Sequence, residues 1–239
     1  MLAIQPEDLF WAASQFKGRF PGDLDTLLRV LNSPVAEKAR NSPNDLTDGD
    51  VSGWLIRFLI EWKCHLHYGI SGAVRQAIAH TADAMAAWAH CALYELDERV
   101  LTTVAGAFDV LSGATWHSEK KRWSLGPTAT SKTLCVLHPE LCVMWDDAIS
   151  KHYMCTRDGE GYCDFLVRMG LTARSVLKDW RSRGTDIPLC AAACRQAGYD
   201  RPLPIGILLD HYNWLTIKGG LTPPAIAEPQ MPSLATGQD

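Results

Sequence analysis

Apolar residues recur through this chain at helical spacing, and nowhere do they alternate as a half-buried strand would. Val100, Val104, Ala107, Phe108 and Leu111 make one stripe behind a capping residue, Asp97; Trp54, Leu55, Phe58, Leu59, Trp62 and Leu66 make another behind Ser52. Positions three and four apart lie on one helix face, so each stripe predicts an amphipathic helix with that face in a core. Further helices are expected over 6–16, 23–31, 73–96, 190–197 and 205–215, one ending at Gly170, and a basic one over 173–183 that Thr172 caps. Residues 32–50, broken by Pro34 and Pro43, read as a loop, as do 112–124. The expected architecture is all-α: one multi-helix domain over 1–220, with 221–239 a disordered tail lacking periodicity.

Residues 125–149 stand apart. Gly126-Pro127 punctuates a turn, and Thr128 or Thr130 is placed to cap the next helix. That helix carries Lys132 early, and Pro139 stops it because proline has no N–H to donate. An extended piece, 141–145, then delivers Asp146 and Asp147 to the start of another helix, whose positive dipole end favours ionised carboxylates.

This order resembles part of the helix-hairpin-helix DNA glycosylase superfamily, most closely the 8-oxoguanine glycosylase type of fold. Gly126-Pro127 corresponds to the hairpin, Lys132 to a nucleophilic lysine and Asp146 to a catalytic aspartate. The hairpin has no second glycine, Ala129 and Thr130 standing near where the family's would fall, and the lysine and aspartate are 14 positions apart. The resemblance implies base excision: a flipped-out base, an oxocarbenium-like transition state stabilised by Asp146, and attack on C1′ by Lys132 to give a Schiff base. Trp145 and His138 are neighbours in sequence that would shape the base pocket.

Around this stretch the charge changes sign. Residues 117–183 hold eleven Lys/Arg against eight Asp/Glu, a balance of +3 in a chain whose net charge is −4. Lys120, Lys121, Arg122 and Trp123 precede the hairpin, a pattern suited to phosphate contact and base stacking and equally to a solvated loop. DNA is one expected partner, and a free nucleoside or nucleotide, which suits the overall negative charge, is another. A non-catalytic binding module on the same fold is the third reading, in which Lys132 tolerates replacement. No C-x-x-C occurs among the eight cysteines, so they read as reduced core residues; no metal and no cofactor is expected. No apolar run approaches the roughly 18 residues that span a bilayer, and the N-terminus lacks a signal-peptide pattern, so no membrane partner and a cytoplasmic address are expected.

Overall fold

The computed structural model of the protein describes residues 4–88 and 90–225. It is helical almost throughout. Helices α1 (Pro6–Arg19), α2 (Pro21–Leu31) and α3 (Pro34–Asn41) each begin on a proline. A proline in the first turn surrenders an N–H that would have no helical partner anyway. Pro34 therefore opens a helix inside the segment read as a loop, and Ser33 caps it by accepting from the Val35 N–H at 3.1 Å. The same segment holds the start of α4 (Asp48–Val51), where Thr47 and Asp50 cap each other's backbone. A π-helical turn, Ser52–Ile56, carries α4 into α5 (Arg57–Glu61), so the Trp54–Phe58 stripe belongs to a helix started by Thr47 rather than Ser52.

The alanine-rich stretch does not form one helix. It divides into α6 (Ser71–His80) and α7 (Ala82–Ala86), and a 3₁₀ turn follows at Leu93–Glu95. Ile78, Met85 and Trp88 are buried, while Ala89 lies outside the described residues. Helix α8 (Glu98–Ser112) starts on Asp97, which accepts from the Val100 N–H at 2.7 Å, and buries Val104, Ala107, Phe108 and Leu111.

Residues read as a loop after α8 form a two-stranded antiparallel hairpin, β1 (Thr115–His117) with β2 (Arg122–Ser124), in which Trp116 faces Trp123. Then come α9 (Gly126–Leu137), α10 (Asp147–His152) and α11 (Gly159–Ser182). Helix α11 runs through Gly170 and Thr172 without a break. Gly170 is there for closeness: a Cβ would stand 2.6 Å from the Leu93 carbonyl oxygen. Helices α12 (Leu189–Gln196) and α13 (Ile205–Asn213) follow, the latter continued by a π-helical turn, Trp214–Lys218.

One continuous apolar core runs from Leu9 to Leu215. Helix α13 lies inside it, packed on α1 and α11 and buried at nearly every position. Among the described residues no helix is long and apolar enough to cross a membrane. Residues 221–225 are neither helix nor strand; the rest of the expected disordered tail, 226–239, lies outside the described residues.

Candidate functional site

The turn before α9 is built as its residues suggest. Gly126 has φ of +69°, a left-handed conformation that costs other residues roughly 1–2 kcal/mol. Capping follows another route than expected. Neither threonine caps the helix: Thr128 Oγ1 accepts from Arg157 at 3.0 Å, and the Thr130 hydroxyl is buried without a partner among the described residues.

Ser131, next to Lys132, is the pin of the site. Its hydroxyl accepts from the Trp145 N–H at 3.1 Å and donates to the Trp145 carbonyl at 3.0 Å. One side chain thus clamps α9 against the extended segment that ends at Asp146, and the spacing of lysine and aspartate follows from that clamp. Trp145 is buried against Phe108, Tyr162 and Phe165, which holds the segment from behind.

Lys132 and Asp146 open into one cavity of about 360 Å³. The Lys132 ammonium donates to the Trp62 carbonyl at 3.2 Å, lies 3.6 Å from Cys64 Sγ and sits 5.2 Å from the Trp62 ring centroid. The loop presenting that carbonyl bends sharply: Lys63 and His65 are non-glycine residues at φ of +57° and +52°. Such backbone persists only where the surroundings impose it, and it gathers at functional sites.

Asp146 is the N-cap of α10. Oδ1 accepts from the N–H groups of Ala148 and Ile149 at 2.9 and 3.0 Å, and Oδ2 accepts from Lys218 Nζ at 2.7 Å. Burial alone would raise its pKa, but the Lys218 bond and the helix N–H groups outweigh it and hold the carboxyl below its usual range. Asp147 points elsewhere, to Lys151 at 2.6 Å and Arg157 at 3.1 Å. Of the adjacent pair, only Asp146 lines the cavity.

Several of the lining residues were not among those expected. Phe16, Trp62 and Trp214 supply aromatic surface, Asp23, Glu61 and Lys63 charge, and Asp210 a second carboxyl. Asp210 is only 5% exposed, and among the described residues no hydrogen bond reaches its carboxylate. Desolvation pushes its pKa up to about 7, against the pull of Lys132 and Lys218. A sequence signal existed: Asp210 interrupts the apolar run Ile205–Leu209 on a helix otherwise made for the core.

The remaining expected residues lie elsewhere. Lys120, Lys121, Arg122 and Trp123 belong to the hairpin, outside the cavity lining, with Lys121 Nζ 3.9 Å from the Trp123 ring centroid. The hairpin is tied to the bent loop, because His67 stacks on Trp116 with centroids 4.9 Å apart. Gly126 shapes the turn and does not line the cavity. His138 does not line this cavity with Trp145: it ends α9 on a separate cavity with Arg40, Trp88 and Glu140, and desolvation lowers its pKa to about 4. The basic side of α11 is partly engaged, since Arg183 pairs with Glu7 and Asp179 and Arg174 with the Tyr94 carbonyl.

All eight cysteines are free, and among the described residues no group of three His, Cys, Asp or Glu side chains is arranged to hold a metal ion. No protein-family model, curated protein or solved structure matches the chain.

Proposed function

We propose that this protein is a helix-hairpin-helix glycosylase-like enzyme that releases a base from nucleic acid, with Lys132 as nucleophile and Asp146 as electrostatic stabiliser. The observation that carries this reading is the shared cavity: a tethered amine and a fixed, ionised carboxylate line the same open cavity. Breaking the bond between C1′ and a base builds positive charge on the sugar, which a preorganised carboxylate stabilises without reorganising. Lys218 and the α10 N-terminus keep Asp146 anionic for that role. Phe16, Trp62 and Trp214 offer faces against which a base taken out of its stack would pack. In this reading the hairpin, with Lys120, Lys121, Arg122 and Trp123 outside the cavity, meets the phosphate backbone.

A specific observation favours a second reading, a free nucleoside or nucleotide as substrate. Asp23 and Glu61 line the same cavity and add negative charge to its wall, which weighs against a phosphate-rich strand more than against a free nucleoside. Salt separates the two. A duplex held through the hairpin loses affinity steeply between about 50 and 200 mM salt, and Lys120→Ala with Lys121→Ala and Arg122→Ala flattens that slope by about 2–3. Binding that ignores salt, with release of base from free nucleosides, selects the second reading.

A further inference from the structure

A lysine acts as a nucleophile only as the neutral amine, so its proton needs somewhere to go. The groups around Lys132 narrow the choice. The Trp62 carbonyl accepts a hydrogen bond at 3.2 Å but is no base. Cys64 lies at 3.6 Å, and burial raises its pKa despite the nearby ammonium, so it remains a thiol. Asp146 is committed: both oxygens are occupied, one by two backbone N–H groups and the other by Lys218. Asp210 differs from all of these. It is buried on α13, lines the same cavity as Lys132, feels the lysine's charge, and has a carboxylate that no hydrogen bond reaches among the described residues.

We infer that Asp210 receives the proton of Lys132, acting as the base that makes the amine nucleophilic; the inference rests on the glycosylase reading. Asp146 and Asp210, two of the carboxylates that line the cavity, then divide the work by environment, as paired acids in active sites do. Asp146 stays charged beside the developing cation, and Asp210 takes up and returns a proton. Its pKa, raised by burial to about 7, makes it a stronger base than an ordinary carboxylate and so a better acceptor for an amine's proton.

The proton passes from Lys132 Nζ to an Asp210 oxygen. The freed electron pair forms the Nζ–C1′ bond, and the bond from C1′ to the base breaks with its electrons on the base, which recovers the proton from Asp210. Charged groups that bear on Asp210 are Lys132 from α9, Asp146 before α10 and Lys218 after α13, while the Cys135 thiol on α9 feels its charge. Asp23, Glu61 and Lys63 also line the cavity, Glu61 being paired with Arg29 at 2.7 Å. Helices α1 and α11 meet α13 through Phe16 on His211 and Met169 near Asn213.

The test is the pH dependence of single-turnover adduct formation, trapped with borohydride on an abasic oligonucleotide between pH 5.5 and 9.5. Wild type should rise through about pH 7 and level off. Asp210→Asn should be slower by about 100-fold at pH 7 and lose the step near neutrality, with Asp210→Glu restoring part of the neutral limb. An Asp210→Asn protein that keeps both rate and profile overturns the inference and leaves the glycosylase reading intact. If wild type forms no adduct, the glycosylase reading falls, and the ¹³C titration of the Asp210 carboxyl decides the pairing. A midpoint near neutrality that moves upward in Lys132→Gln supports it, and a midpoint near 4, or one that Lys132→Gln does not move, overturns it.

Discussion

Asp146→Asn separates what the carboxylate does for the helix from what it does for chemistry. The amide oxygen can still accept from the Ala148 and Ile149 N–H groups, and asparagine caps helices about as well as aspartate. Only the charge disappears. Lys218 loses its 2.7 Å partner, but its side chain is 48% exposed and returns to water, so the lost pair costs about 0.5 kcal/mol. The lost interaction with the helix dipole adds about as much. Together these come to about 1 kcal/mol, a fall in Tm of roughly 2–4 °C for a chain of this size. Base release should fall much further, by about 10²–10³-fold, as when one preorganised electrostatic group is removed from an active site. Asp146→Ala, which also loses the cap, should cost about 1 kcal/mol more. Thermal melts by circular dichroism and single-turnover base release at neutral pH read the two effects separately. An Asp146→Asn protein with wild-type turnover would reduce Asp146 to a cap, and one destabilised by more than about 3 kcal/mol would make its charge structural.

Two further outcomes follow from burial. Unfolded, Asp210 ionises near 3.8, whereas folded it holds its proton to about 7, so the folded state binds the extra proton between those values. Its contribution to stability therefore declines as pH rises from about 4 to 7 and is flat above; Asp210→Asn should remove roughly 3–5 kcal/mol of that decline in urea titrations across this range. Gly159→Ala would place a Cβ 2.2 Å from the Ala105 carbonyl oxygen, where only backbone can yield, so a loss of about 2–4 kcal/mol is expected in the same assay.

Those parts of the site whose geometry is local were legible in the sequence. Gly126, Lys132, Pro139 and Asp146 occur within one stretch, and turn chemistry and capping place them with no knowledge of the rest of the fold. What Lys132 touches was not legible, because Trp62 lies 70 positions away and Lys218 reaches Asp146 across 72. Long-range packing also overrode local preference. Alanine favours helix, yet 73–96 divides so that Met85 and Trp88 reach the core; glycine disfavours it, yet α11 continues through Gly170 because the Leu93 backbone needs the space. Pro34, read as a breaker, opens α3, since a proline's meaning depends on whether a cap such as Ser33 precedes it. The Trp116–Trp123 pairing was not legible, because strands of three residues carry too little alternation to read.

The proposal that Lys132 forms a covalent bond with the sugar is tested most directly by borohydride reduction of the purified protein on oligonucleotides carrying 8-oxoguanine, uracil or an abasic site, beside Lys132→Gln. The account predicts a covalent adduct in wild type, absent in Lys132→Gln, with the crosslink mapped to the peptide containing residue 132. An adduct that persists in the variant, or none on any of the three substrates, would contradict it.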